Sequence, residues 1–148
     1  MQETHSTVER QDQWRKEWGA SIFFSHGSTN ARGVAILIRN GLDFSLQQSE
    51  ISSDGRFIMI KATINNEVYT IVNIYGPNKD AEAVKFYRNL SKLLRNNEFG
   101  NEENIIIGGD LNCPLDPSLD KKGGLSIPRK YVINAIDEIQ SEFSLHDI

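Results

Sequence analysis

The stretch that decides the fold lies in the middle of the chain and reads FIMIKATINNEVYTIVNIYGPN (residues 57–78). Its two runs of β-branched and aromatic residues, 57–64 and 68–74, predict two strands. Asn65-Asn66-Glu67 separates the two runs and is typical of a tight hairpin turn. The pattern therefore predicts an antiparallel hairpin, and the other elements lie on either side of it.

Amphipathic helices are predicted before and after the hairpin. Ser6 and Glu9 have the spacing of a capping box, so the first helix is expected to run from Ser6 to about Trp18. Residues 80–95 carry apolar side chains at helical spacing on one face. A third helix is expected to open at residues 126–128, with a proline in its first turn. Its predicted buried stripe consists of Val132, Ile133, Ile136, Ile139 and Phe143.

Further strands are predicted where short apolar runs occur outside the hairpin, at residues 21–24, 33–38 and 104–108. The last of these is too short for a helix and is expected to be an interior strand. Strands that pair as hairpins, interrupted by amphipathic helices, favour an α+β layered domain over a parallel doubly wound sheet. The chain has no internal repeat or linker-like composition shift, so one domain over residues 1–148 is expected.

Composition excludes several classes of protein. The formal net charge of −4 argues against a protein that holds nucleic acid by bulk electrostatics, although a bound cation would change the local charge. Cys113 is the only cysteine, which excludes an intrachain disulfide and favours a reducing compartment. There is no apolar stretch of about 18 residues and no secretory signal, so no membrane association and an intracellular location are expected.

Polar side chains that suit phosphodiester chemistry are concentrated in three clusters, at residues 2–4, 73–78 and 109–112, which we expect at strand ends. Phosphodiester hydrolysis needs a hard cation with carboxylate ligands and a group that orients or deprotonates a water. Amide and phenol donors can meet the charge that develops on the phosphate oxygens. Glu3, Asp110, Asn112 and Tyr75 provide these residue types.

Each of these residues also has a simpler interpretation. Asp110 fits an ordinary turn and Tyr75 an aromatic residue that closes a strand. Glu3 fits a solvated charge, and Asn78 and Asn112 fit turn residues beside prolines. None is specific alone, and only their occurrence together, in this order, favours the catalytic interpretation.

The clusters resemble successive blocks of the endonuclease/exonuclease/phosphatase superfamily. The blocks are Gln2-Glu3-Thr4-His5, Arg32-Gly33-Val34-Ala35-Ile36-Leu37, Asn73-Ile74-Tyr75-Gly76-Pro77-Asn78 and Ile107-Gly108-Gly109-Asp110-Leu111-Asn112. As an ordered set they are most similar to the apurinic-endonuclease-like domain of LINE-type (non-LTR) retrotransposon polyproteins. The resemblance implies two β-sheets packed face to face with helices outside, a four-layer α/β/β/α arrangement.

The resemblance also implies roles for individual residues. Glu3 would bind a divalent cation, Mg²⁺ or Mn²⁺, and Tyr75 would hydrogen-bond the scissile phosphate. Asp110 would position the water or protonate the leaving group, and Asn112 would stabilise the phosphate. Asn78 would contact DNA or phosphate. The implied partners are DNA and a covalently linked reverse transcriptase domain, with action in the nucleus if the target is chromosomal.

The chain also departs from the family pattern. Family members have a strand with a metal-site asparagine before the block that holds Glu3, and a closing Ser-Asp-His after the last helix. His146-Asp147 lies where the family has a different segment, so a catalytic His146 is not expected. An incomplete domain with weak or no DNA endonuclease activity is therefore expected. Two alternatives stay open, a non-catalytic remnant of a retroelement and a phosphoesterase acting on inositol phosphates or sphingomyelin.

Overall fold

The structure, a computed structural model, describes residues 1–28, 30–96, 99, 104–115 and 129–147. Its helices are α1 (Gln11–Trp18), which follows a single 3₁₀ turn at Val8–Arg10, α2 (Asp80–Leu94) and α3 (Lys130–Glu142). Its strands are β1 (Ile22–Ser25), β2 (Val34–Leu37), β3 (Phe44–Ile51), β4 (Phe57–Ile64), β5 (Glu67–Tyr75) and β6 (Ile105–Asp110). No described helix is both long and apolar enough to span a membrane.

The predicted hairpin is confirmed and forms the centre of the larger sheet. β4 and β5 pair antiparallel, with Ile64 opposite Glu67. Asn65 and Asn66 alone form the turn, and both have left-handed backbone conformations, with φ of 49° and 70°. The turn is therefore one residue shorter than predicted, and it uses the residue type that adopts this conformation most readily after glycine.

The described strands form two sheets. The larger has the order β3-β4-β5-β6, in which β5 and β6 are parallel and the other pairs antiparallel. The smaller consists of the antiparallel pair β1-β2. Because β5 and β6 are parallel, their carboxyl ends lie at the same end of the larger sheet.

Alternating side chains build the four-layer arrangement. On one face of the larger sheet, Ile58 and Ile60 pack against Val34 of the smaller sheet, and all three are buried. On the other face, the sheet packs against α2 and α3. α1 covers the outer side of the smaller sheet, where Trp14 packs edge-on against Phe24. The predicted α+β sandwich with flanking helices is confirmed, and each fully buried isoleucine contributes on the order of 2 kcal/mol to its stability.

The prediction for the first helix is wrong at its amino end. Ser6 does not cap a helix: it is buried, and its Oγ lies 3.1 Å from Nδ1 of His26. The 3₁₀ turn begins only at Val8, and no side chain caps it. Ser6 has the spacing of a capping box, but its side chain instead forms a tertiary hydrogen bond, which cannot be predicted from sequence spacing. The carboxyl end agrees with expectation, since Gly19 has a φ of 73° and ends the helix.

One strand was not predicted from the sequence, and the position predicted for another is wrong. β3 was missed because its sequence, FSLQQSEI, is mostly polar and mostly exposed; its pairing with β4 defines it. β6 was expected to be interior, but among the described residues it lies at the edge of its sheet. Its central Ile106 is 51% exposed, whereas the isoleucines on either side pack towards the helices. The apolar residues of β6 are therefore explained by packing of one face of the strand against the helices, and not by strands paired on both of its sides.

The helix predictions that rest on periodicity are confirmed where they can be compared. α2 covers the predicted segment and ends at Leu94, one residue early. In α3 the predicted stripe faces the core, with Val132, Ile136 and Ile139 buried and the other two members partly buried. The predicted helix opening at residues 126–128 lies outside the described residues.

Candidate active site

The candidate site lies at the carboxyl ends of the two parallel strands. Tyr75 is the last residue of β5 and Asp110 the last of β6, and the two are direct partners in the strand register. The Gly76 N–H donates to the Asp110 carbonyl at 2.7 Å, which extends the pairing by one step. Parallel pairing in this register makes neighbours of two side chains 35 residues apart in sequence (110 − 75 = 35).

Two glycines permit this close approach. A Cβ on Gly76 would lie 2.3 Å from the Leu111 carbonyl oxygen, and one on Gly109 would lie 2.1 Å from the Ile74 carbonyl oxygen. Gly109 also has a φ of 137°, which L side chains rarely adopt. Any larger residue at either position would push the two strand ends apart.

The amino-terminal segment brings a third group to these strand ends. Backbone N–H groups of Thr4 and His5 donate to the carbonyls of Gly33 and Arg32, both at 3.0 Å, so the segment lies along the start of β2. Glu3 has a φ of 50°. Its Oε1 accepts a 2.6 Å hydrogen bond from the Tyr75 hydroxyl.

A buried amide holds this segment to the sheet. Asn73, two residues before Tyr75 and on the same face of β5, donates from Nδ2 to the carbonyls of Met1 at 2.8 Å and Ala35 at 2.9 Å. Its Oδ1 accepts a 2.6 Å bond from Nε2 of Gln2. This buried side chain therefore joins the residues immediately before Glu3 to both β2 and β5.

The loop after β6 (residues 111–115) supplies the fourth predicted residue. The Asn112 N–H donates to Asp110 Oδ1 at 2.8 Å, and Asn112 Nδ2 donates to the Gly76 carbonyl at 2.8 Å. Asn112 has a left-handed φ of 50°. The Tyr87 hydroxyl donates to the Leu111 carbonyl at 2.7 Å and so supports the same loop from α2.

The surroundings of Tyr75 raise the pKa of its phenol. The hydrogen bond to the Glu3 carboxylate is the largest cause, followed by partial burial; the Asn112 side-chain amide acts in the opposite direction, and the charge of Asp110 adds a smaller rise. The phenol therefore stays protonated and remains a donor at neutral pH. Glu3, Tyr75, Asp110 and Asn112 are thus assembled in one place, which we call the rim site.

The fifth predicted residue, Asn78, lies outside this group, as do two histidines for which no catalytic role was predicted. Asn78 is exposed in the loop after β5 (residues 76–79) and is not hydrogen-bonded to the rim site in the structure as described. His146 is exposed beside the groove between β6 and α3. Nδ1 of His26 lies within hydrogen-bond distance of the Ser6 hydroxyl, and its ring stacks on Phe24 with the ring centres 5.2 Å apart. These contacts indicate a structural role for His26.

Two arginines beside the site were missed by sequence reasoning. Arg56 donates from Nη1 to the Tyr75 carbonyl at 3.2 Å, and its guanidinium carbon lies 5.8 Å from the centre of the Tyr75 ring. Its side chain is only 12% exposed, and burial is the main cause that lowers its pKa, with the charge of Arg32 second. Arg129 contacts both site loops. An isolated arginine carries no sequence signal of such contacts, since tertiary packing alone determines them.

The oxygen donors of the rim site fit a hydrated hard cation. Among the described residues there is no group of three His, Cys, Asp or Glu side chains that could enclose a metal ion. Glu3 and Asp110 are both exposed carboxylates. Mg²⁺ is commonly held by one or two carboxylates and keeps several waters, so these residues suit Mg²⁺ or Mn²⁺ better than a soft metal.

Comparison with known proteins identifies first the fold and then the family. A truncated TDP2 from Caenorhabditis elegans superimposes with a TM-score of 0.55 at 15% identity, over 82% of this chain and 51% of that one. A humanized D. rerio TDP2 gives a TM-score of 0.50 at 19% identity, over 82% and 52%. The chain therefore has the α/β/β/α fold of these structures and spans about half their length.

Residues 1–124 match the endonuclease/exonuclease/phosphatase family, and the chain belongs to that family. Its members are phosphodiesterase and nuclease hydrolases, generally dependent on a divalent metal. A relative, the Transposon TX1 uncharacterized 149 kDa protein of Xenopus laevis, is 28% identical over 150 residues. That alignment covers 100% of this chain but only 11% of the relative. The predicted family resemblance is confirmed, together with a homologue of transposon origin.

Proposed function

We propose that this chain hydrolyses phosphodiester bonds in DNA with the help of Mg²⁺ or Mn²⁺, as the endonuclease part of a retrotransposon polyprotein. The observation that carries the proposal is the 2.6 Å hydrogen bond between Tyr75 and Glu3, beside the register partner Asp110. A phenol donor, a carboxylate that could bind a metal ion and a carboxylate that could exchange a proton thus lie together. These are the groups that the reaction requires.

Charge supports the need for a cation. Glu3 and Asp110 both act on the Tyr75 hydroxyl as negative charges, and the whole chain has a formal net charge of −4. A phosphodiester anion would be repelled from this surface unless a cation neutralised it. When bound at Glu3, the divalent ion would supply that charge and polarise the phosphate.

The chain's own residues would then divide the remaining work. Asp110 Oδ1 accepts the Asn112 N–H, so Oδ2 is the oxygen that would orient and deprotonate the attacking water or return the proton to the leaving oxygen. The water oxygen forms a new bond to phosphorus as the bond to the leaving oxygen breaks. With substrate bound, the single O–H of Tyr75 would turn from Glu3 to a phosphate oxygen, and Asn112 Nδ2, which donates one N–H to Gly76, would donate its other N–H there.

We expect the activity of residues 1–148 to be low. One carboxylate at Glu3 leaves most of the coordination sphere of Mg²⁺ to water, and a weakly held ion is present in only part of the molecules. The proposed partner in the intact polyprotein is a reverse transcriptase domain, because the relative is a transposon protein of which this chain spans 11%. Action on chromosomal DNA would place it in the nucleus.

The proposal is tested by nicking of supercoiled plasmid. The chain is incubated with Mg²⁺, with Mn²⁺ and with excess chelator, and open-circle product is quantified on gels. We expect product with either metal and none with chelator. Glu67→Gln, which alters an exposed tyrosine-bonded glutamate at the other end of β5, is the matched control for Glu3→Gln.

Each outcome discriminates between functions. Release of phosphate from inositol phosphates, or cleavage of sphingomyelin, without plasmid nicking would overturn the DNA substrate and favour a phosphoesterase. No turnover of any of these substrates at saturating metal would indicate a non-catalytic remnant. Nicking that persists in chelator would remove the metal from the mechanism.

A further inference from the structure

Arg129 makes contacts that link the two loops of the rim site. It directly precedes α3, and its side chain is 16% exposed. Nε donates to Asp80 Oδ1 at 2.7 Å, Nη2 donates to the Pro77 carbonyl at 3.3 Å, and Nη1 donates to the Asn112 carbonyl. One guanidinium therefore connects the loop after β5, the loop after β6 and the first residue of α2.

A purely structural ion pair between helices does not account for this set of partners. Arg95 and Glu142 already join the end of α2 to α3, through contacts from Nε and Nη2 of the arginine, and their side-chain hydrogen bonds among the described residues reach no site loop. For that purpose Arg129 would need only Asp80. Its two carbonyl contacts both lie on loops that carry predicted site residues.

The contact to Asn112 acts on a residue with a left-handed backbone conformation. Asn112 has a φ of 50°, and its N–H, side-chain amide and carbonyl are all hydrogen-bonded, to Asp110, Gly76 and Arg129. A left-handed residue persists where its surroundings hold it from several sides. Of these three contacts, the one from Arg129 comes from outside the two strand ends, so it can be removed without altering the rim site itself.

We propose that Arg129 is a positioning residue for the proposed phosphodiesterase reaction, because its guanidinium holds Asn112 in the left-handed conformation and fixes the loops after β5 and β6 against each other. The inference rests on the proposed function for its link to catalysis. Lysine cannot replace arginine in this role, since a single ammonium lacks the planar set of donors that reaches three separate acceptors.

The test compares Arg129→Lys with Arg95→Lys in the full chain. Both changes keep the charge and remove a guanidinium that joins elements, but only the first contacts site loops. For Arg129→Lys we expect kcat of plasmid nicking to fall by about tenfold or more with KM nearly unchanged, because a misplacement of about 1 Å can cost on the order of 100-fold. Arg95→Lys should keep kcat, and the two melting temperatures should show whether stability explains any difference.

A second readout does not depend on activity. The side-chain amide signals of Asn112, assigned in NMR spectra with Asn112→Asp, should shift in Arg129→Lys and stay in place in Arg95→Lys. Asp80→Asn, which keeps the arginine and weakens only its ion pair, should shift them less. If the wild-type chain does not nick DNA, the proposed function fails and these signals still decide whether Arg129 positions Asn112. Unchanged signals together with unchanged kcat would overturn the inference.

Discussion

The two ends of β5 carry the same pair of residue types in very different settings. At its start, the Tyr69 hydroxyl donates to Glu67 at 2.8 Å, two residues away in sequence. At its end, the Tyr75 hydroxyl donates to Glu3 at 2.6 Å, 72 residues away. In both pairs the carboxylate is the main cause that raises the pKa of the tyrosine.

The two ends of β5 differ in the other side chains that surround each tyrosine–glutamate pair. In the part of the chain that the structure describes, Glu67 is the charged side chain that acts on Tyr69. Tyr75 is also subject to Asn112 and Asp110, which other segments of the chain bring to the same edge. Arg56 lies against its ring. A tyrosine–glutamate pair is therefore not a site in itself; the convergence of distant segments makes the difference.

The largest effect on the nicking rate is expected from substitution of Asp110, because among the described residues no second carboxylate lies beside Tyr69 at the start of β5. Asp110→Asn should reduce metal-dependent nicking by about 100-fold or more, because an amide cannot exchange the proton that the reaction moves. Asp43→Asn is the control, since Asp43 is exposed next to the hairpin turn at the opposite end of the sheet. Gel quantification of nicked plasmid measures both. Equal rates in the two variants would contradict the role of Asp110.

Substitution of each glutamate in turn should show that only the one bonded to Tyr75 affects metal affinity. Glu3→Gln should weaken Mg²⁺ or Mn²⁺ binding by about tenfold or more, because a neutral amide replaces a carboxylate ligand. Glu67→Gln should leave binding as it is. Isothermal titration calorimetry is the measurement, and the same affinity in both variants would show that Glu3 is not the metal ligand.

Substitution of Tyr75 should reduce the nicking rate less than substitution of Asp110. Tyr75→Phe removes one hydrogen bond to a charged group, which corresponds to about a tenfold fall in nicking rate. Tyr69→Phe should change nothing. The rate of Tyr75→Phe should have the same pH profile as the wild type between pH 6 and about 9, because a raised phenol pKa keeps Tyr75 protonated there. A profile altered in that range would contradict a role as a protonated donor.

The titration of a third tyrosine, Tyr87, should lower the free energy of unfolding only at alkaline pH. Tyr87 is 1% exposed, its hydroxyl donates to a backbone carbonyl, and burial raises its pKa far above the usual range. Its folded-state pKa exceeds the unfolded value of about 10, so the stability it contributes is present below pH ~10 and is lost as pH rises further. Urea unfolding should show a decline of up to about 1.4 kcal/mol per pH unit above pH ~10.

The control for this decline is Tyr131→Phe, because Tyr131 is 76% exposed. Tyr87→Phe should flatten the alkaline decline, and Tyr131→Phe should not. If both variants kept the wild-type slope, the decline would have another origin.

Sequence reasoning succeeded where the physical cause is local. The turn at Asn65 and Asn66 follows from a backbone preference of two adjacent residues, and α2 follows from periodic burial of one helix face. β3 was missed because strand pairing, and no apolar pattern, defines it. Ser6 was misassigned because its partner, His26, lies 20 residues further along the chain.

The site shows the same division. Glu3, Tyr75, Asp110 and Asn112 were named from a resemblance to a family, and Asn78 with them; residue types alone left each with a simpler interpretation. Arg56 and Arg129 could not be named at all. Their contacts with the rim site and its loops are to backbone carbonyls, and any residue type can supply a carbonyl.

By itself, the sequence determined the hairpin and the buried faces of the two later helices. Each of these depends on the conformational range or hydropathy of a few neighbouring residues. Only the tertiary structure decided that Tyr75 meets Glu3 and stands in register with Asp110. That outcome depends on the parallel pairing of β5 with β6 and on a buried asparagine that holds the amino-terminal segment, and both are contacts across 35 residues or more (110 − 75 = 35 and 73 − 1 = 72). Such contacts form through the packing of the whole chain, which no local pattern encodes.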